Sequence, residues 1–195
     1  EAIGDFNGDG TGDLAISAPP ARTVGGEPPD TDSRGEVFVI FGGPQLTGQI
    51  DLTQIDPLGM GIRVMGPTRE SGNNRGFGSV IAALGDMNGD GFSDFAVADG
   101  RNGYVLLFGH ASLGESLDTR DIFRGTVYDH VILLRGPNTE ENRLMLGEIA
   151  GLGDLDGDGR ADMAVGIAHW SSSPLFTEPG RVYVVYGRTE FPSEM

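Results

Sequence analysis

One thirteen-residue pattern recurs at residues 4–16, 85–97 and 153–165, and a chain that repeats itself at this scale folds as repeated units. Each copy runs Gly, Asp, a variable residue, Asn or Asp, Gly, Asp, Gly, two variable residues and Asp, and then turns apolar. The first Asp recurs after 81 and then 68 residues, at Asp5, Asp86 and Asp154. A run of β-branched and aromatic residues ending in aromatic-Gly follows each copy, at 37–42, 104–109 and 182–187, as strands favour. Two further apolar runs, 62–65 and 131–134, stop at Gly66-Pro67 and Gly136-Pro137, where Pro ends a strand.

Small-residue runs at 77–84 and 146–152 precede the second and third copies and read as strands packed near a crowded axis, with no counterpart before the first. No amphipathic helical stripe of any length is visible, and residues 114–123 are the one place where a helical turn is expected. Glycine, at 33 of 195 residues, is more than twice its ordinary share of about 7 %, as many tight turns require. Four short strands in each unit of about 65 to 70 residues predict an all-β chain of four-stranded antiparallel propeller blades. The expected division is a blade lacking its first strand at 1–70, a complete blade at 71–137, and a blade lacking its last strand at 138–195. About three blades are too few to close a ring, so further blades of a longer parent, or self-association through open blade edges, are expected.

Counting from the first Asp, oxygen-bearing side chains stand at loop positions 1, 3, 5 and 9, with Gly at 6 where the chain must turn sharply. These are Asp5, Asn7, Asp9 and Asp13; Asp86, Asn88, Asp90 and Asp94; and Asp154, Asp156, Asp158 and Asp162. Calcium takes six to eight oxygen ligands, and the backbone carbonyl at position 7, from Thr11, Phe92 or Arg160, would complete each set. Magnesium fits less well, because it demands a strict octahedron and dehydrates reluctantly. An EF-hand would place Glu at position 12, but Ile16, Val97 and Val165 stand there, so the loops read as metal-clipped hairpins. Asp, Asn and Gly also gather in turns for conformational reasons alone; three copies with every ligand position filled argue against that reading. Three calcium ions are therefore expected, and with +2 each they would take the formal charge from -16 to -10. The third loop, with four carboxylates, should bind tightest on charge alone.

These units resemble the FG-GAP repeats of integrin α-subunit propellers and their bacterial relatives. Phe77-Gly78 stands as the FG element and Ser17-Ala18-Pro19 in place of GAP, while Leu146-Gly147, Ala98-Asp99-Gly100 and Gly166-Ile167-Ala168 depart from the pattern. The resemblance implies a propeller of about seven blades, calcium in the Asp-rich loops, and an extracellular or cell-surface adhesive setting with a protein or glycan ligand.

An excess of 29 acidic over 13 basic residues would repel nucleic acid and anionic membranes. Neither a leader nor an apolar run of membrane-spanning length is seen, and the chain reads as a mature or excised piece. With no Cys, a metal must take oxygen or imidazole. His110, His130 and His169 have no spaced partners, and no nucleophile elbow, P-loop or zinc-protease pattern occurs, so no catalytic residue is expected. The alternative is the propeller part of a calcium-dependent polysaccharide lyase or hydrolase. Between the second and third strands the first and third units carry long connections, and Trp170 and Phe176 on the latter are a candidate recognition surface.

Overall fold

The computed structural model describes residues 1–18, 35–67, 76–99, 103–112, 116–119, 130–135, 138–139, 142–169 and 180–192. Trp170, Phe176, Glu140 and Glu141 lie outside them. Apolar runs of five or six residues, broken by Gly, Asn and Asp, form strands that assemble into three sheets. Strands are numbered in chain order. The first sheet is built from β1 (Ala2–Gly4), β2 (Asp13–Ala18), β3 (Glu36–Ile40) and β4 (Gly61–Met65), each antiparallel to the next. The second is β5 (Phe77–Gly85), β6 (Asp94–Asp99), β7 (Gly103–Leu107) and β9 (Val131–Arg135). The third is β10 (Asn138–Thr139), β11 (Asn142–Gly153), β12 (Asp162–His169) and β13 (Arg181–Val185). From the connection between β7 and β9, β8 (Leu117–Asp118) crosses back to pair in parallel with β4.

The sheets stack face to face, and the middle one is buried on both sides. Phe95, Val97, Val105, Leu107, Val131 and Leu133 point into a core shared with Phe6, Val37, Val39 and Val64 of the first sheet and its loop. Their neighbours Ala96, Tyr104, Leu106, Ile132 and Leu134 point the other way, onto Ile149, Met163 and Val165 of the third. Alternation along a strand requires this opposition, and two buried faces explain why β7 and β9 read as unbroken apolar runs. Each fully buried large side chain contributes about 1.5–3 kcal/mol. At the centre of the first core Phe6 meets Phe95 edge to face, with ring centroids 5.0 Å apart.

The innermost strands lie side by side, β5 touching β1 and β11. Small residues are needed there. A β-carbon at Gly151 would lie 2.6 Å from the Ala83 carbonyl oxygen.

Three features differ from the sequence expectation. Although no strand was expected before the first Asp-rich loop, Ala2–Gly4 pairs with β2. Within 114–123, where a helical turn was expected, Leu117–Asp118 form the strand β8 and Thr119 directly after it is helical; 114–115 and 120–123 lie outside the described residues. A one-turn 3-10 helix, Leu52–Gln54, capped by the Asp51 side chain on the Thr53 amide, interrupts the connection from β3 to β4.

Candidate metal centre

Each Asp-rich loop joins the innermost strand of a sheet to its neighbour and folds in the same way. The position-1 carboxylate accepts the position-6 glycine amide at 2.9 Å in all three: Asp5 from Gly10, Asp86 from Gly91 and Asp154 from Gly159. The position-3 oxygen accepts the position-5 amide, Asn7 from Asp9, Asn88 from Asp90 and Asp156 from Asp158. Position 5 in turn accepts the position-7 amide, Asp9 from Thr11, Asp90 from Phe92 and Asp158 from Arg160. The position-6 glycines take φ of +86° to +91°, a left-handed conformation that side chains disfavour. This winding turns the side chains at 1, 3 and 5 toward the inside of the loop.

Beyond the shared winding, the second oxygen at position 5 has a different partner in the third loop. Asn7 and Asn88 donate their side-chain amides to Asp9 and Asp90 at 3.0 and 2.8 Å. Asp156 cannot donate, and Asp158 instead pairs with the Arg160 guanidinium at 2.9 Å. That leaves the carboxylates of Asp154, Asp156 and Asp162 with oxygens within 4.8 Å of one another. Three like charges this close repel, and a divalent cation among them removes the repulsion. In the first loop, Asp5 Oδ1 is buried without a hydrogen-bond partner. The converging oxygens and the orphaned Asp5 oxygen both fit a hard cation.

Position 9 is different. Asp13, Asp94 and Asp162 are 3 %, 1 % and 0 % exposed. Each spans two backbone segments. Oδ2 accepts the position-2 amide, from Phe6 at 2.8 Å, Met87 at 2.7 Å or Leu155 at 2.8 Å. Oδ1 accepts the glycine amide of the aromatic-Gly turn, from Gly42 at 2.7 Å, Gly109 at 3.0 Å or Gly187 at 2.8 Å. Sequence reasoning counted these aspartates only as cation ligands and missed this clamp. The signal was present: the aromatic-Gly pair recurs with every loop. A carboxylate has about four acceptor sites, so a cation can still share it. Burial pushes the Asp94 carboxyl up to about 7 and raises Asp13 as well, against the pull of their amide bonds. The exposed Asp9 is held low, chiefly by the Asn7 side chain and then by the Thr11 amide.

The side chains at position 7 reach the preceding loop. Phe92 lies against Gly8 and stacks on His110 at 6.2 Å, while Arg160 lies against Gly89. His110 accepts the Ser112 amide on Nδ1 and so braces a turn. At the other end of the sheets, the Gly78 carbonyl accepts the Ser17 hydroxyl and the Gly147 carbonyl accepts the Tyr104 hydroxyl. Both bonds tie one sheet to the next.

The FG-GAP repeat family matches residues 1–40 and 146–185, which contain the first and third loops. Two stretches of the chain thus match FG-GAP repeats. The chain's sheets are the blades that such repeats form in β-propellers. Integrin alpha-PS2 of Drosophila melanogaster is 29 % identical over 98 % of this chain, and integrin alpha-4 of Xenopus laevis is 25 % identical over 97 %. Integrin alpha-5 of Xenopus laevis is 29 % identical over 83 %. The chain spans only 13–16 % of the length of these relatives. In FG-GAP terms, Phe77 of the FG element is fully buried in the first core and Gly78 makes the joint to Ser17 of the preceding blade.

Proposed function

We propose that these FG-GAP repeats form a calcium-stabilised, non-catalytic part of an extracellular or cell-surface β-propeller that binds a protein or glycan ligand. The units 1–70, 71–137 and 138–195 are its three blades, and remaining blades of a larger ring would cover their outer faces. The observation that carries the calcium reading is the convergence of Asp154, Asp156 and Asp162, repeated in outline by the same winding in the other two loops. Asp5, Asn7, Asp9 and Asp13, with their counterparts, would hold the ions, and the Thr11, Phe92 and Arg160 carbonyls would add one ligand each. The ion supplies positive charge and a crosslink inside each hairpin. It performs no chemistry on a substrate. The similarity to integrin α chains supports the adhesive setting.

The test is a calcium titration of the chelated chain by calorimetry, with metal content read by elemental analysis. Binding of about three ions, lost stepwise in Asp5→Ala, Asp86→Ala and Asp154→Ala, is the expected result. A chain that takes up no calcium and melts identically in chelator overturns the reading.

A further inference from the structure

The three loops are joined to one another as well as folded alike. The Asp5 carbonyl accepts the Ser93 amide at 2.9 Å, and the Asp86 carbonyl accepts the Ala161 amide at 2.7 Å. Position 1 of one loop is thus bonded to position 8 of the next. Position 2 is held as well: the Phe6 carbonyl accepts from His110 at 3.0 Å and the Met87 carbonyl from Arg188 at 2.9 Å. Between these bonds the position-7 side chain of the later loop fills the space above the position-4 glycine of the earlier one. A β-carbon on Gly8 would overlap the Phe92 ring, and one on Gly89 would stand 3.0 Å from Arg160 Nε.

The residues in these contacts are the ones a cation would organise. Asp5 and Asp86 give their carboxylates to their own loop and their carbonyls to the next. Phe92 and Arg160 would give their carbonyls to their own ion while their side chains rest on the loop before. The geometry points to coupled cation binding along the row: an ion in one FG-GAP loop raises the affinity of the adjoining loop, through the seated position-7 side chain and the position-8 amide. This rests on the calcium reading above. Two like-charged ions can only weaken each other through space, so positive coupling must come from these contacts. Coupling is reciprocal, so an ion in the first loop raises the second loop's affinity by the same factor as the reverse.

The position-6 glycine amides, each bonded to its own loop's first Asp, are separate reporters for a nitrogen–proton NMR titration with calcium. Gly10 reads the first loop, Gly91 the second and Gly159 the third. Asp9→Ala, an exposed change in the first loop, is expected to raise the Gly91 midpoint by about 5-fold or more. In Phe92→Ala, which keeps the position-7 carbonyl, the Gly10 midpoint rises and the further change Asp9→Ala no longer moves Gly91. A Gly91 midpoint indifferent to Asp9→Ala overturns the coupling, and this arm decides alone if Phe92→Ala fails to fold. Glycine amides that respond to calcium with independent midpoints sink only this inference. Amides that ignore calcium altogether sink the calcium reading with it.

Discussion

At the scale of single residues, the loop carboxylates divide into those that can face an ion and those that also hold the chain. Asp158 is exposed and its partners lie in its own loop, whereas Asp162 bonds the Leu155 and Gly187 amides, which are far apart in sequence. Asp162→Ala strands both amides, and at about 1–3 kcal/mol each it should cost about 2–6 kcal/mol even in chelator. Asp158→Ala should cost stability only when calcium is present. Urea melts of both variants with and without chelator separate the roles, and equal losses in chelator would remove the distinction. Arg160 would compete with an ion for Asp158, so in a chain whose second loop is emptied by Asp86→Ala, where no coupling acts, Arg160→Ala should tighten the third loop several-fold; calorimetry on the pair of variants tests this. The buried Asp94 makes binding depend on pH. Between its usual value of 3.8 and about 7 the folded chain keeps a proton that the unfolded chain has released. Without metal this contribution is therefore fully present below 3.8 and is lost as pH rises to about 7. Calcium needs the ionised form, so its affinity should fall on acidification below about 7, with protons released on binding near pH 6 and few at pH 8. Calorimetry in buffers of different ionisation heat reads that release, and none at pH 6 would contradict the assignment. The residue types at positions 1, 3, 5 and 9 were legible because side-chain oxygen at fixed spacing is written in the sequence. The clamp at position 9 was not, because its partners Gly42, Gly109 and Gly187 join it only through strand pairing.

At the scale of elements, the aromatic-Gly turn fastens each blade to its loop. Gly109 sits so close to its surroundings that a β-carbon would stand 2.6 Å from the Phe6 carbonyl oxygen, Phe92 Cβ and the Ser93 carbonyl oxygen. Gly109→Ala should cost about 1–3 kcal/mol by overpacking. Gly12→Ala, with nothing within 4 Å of the new carbon, should change stability by no more than about 0.5 kcal/mol. Equal urea midpoints for the two variants would show that the turn tolerates displacement. The longer strands β2, β3, β6, β7, β9 and β13 were visible from their runs of β-branched and aromatic residues. The strands β1, β8 and β10 were not, since two or three residues carry no period and their pairing is decided by a neighbour: β4 offers Val64 and Met65 to Leu117 and Asp118. The turn at Leu52–Gln54 was hidden for the same reason, resting on one Asp51 cap rather than on a pattern.

At the scale of the whole molecule, charge and apolar surface pull in different directions. Neutralising part of a formal charge of -16 inside the loops would relieve self-repulsion and crosslink the hairpins. With free calcium at ten times the dissociation constant each proposed site would contribute about 1.4 kcal/mol, so three would contribute about 4 kcal/mol. Chelation should lower the melting temperature by roughly 8–16 °C for a chain of this size; an unmoved melting curve would exclude a stabilising ion. The middle blade has both faces covered, but among the described residues little lies over the outer face of the third. Val185 packs inward, so Val182 and Val184, next to it on β13, face outward in part, at 71 % and 41 % exposed. Leu152 and Tyr186 are 42 % and 51 % exposed. On the first blade Leu14 and Ile16 show 40 % and 36 %, while Phe38 and Ile40 beside them are buried. Apolar surface of this kind on a sheet face is what another blade would cover. The 195-residue chain on its own should therefore associate as its concentration rises, chiefly through β13. Val182→Thr with Val184→Thr keeps the β-branched shape a strand prefers while making the face polar, so it should shift light scattering toward the monomer without lowering the melting temperature by more than a few degrees. A parent chain that scatters as a monomer at every concentration would show that this face needs no partner.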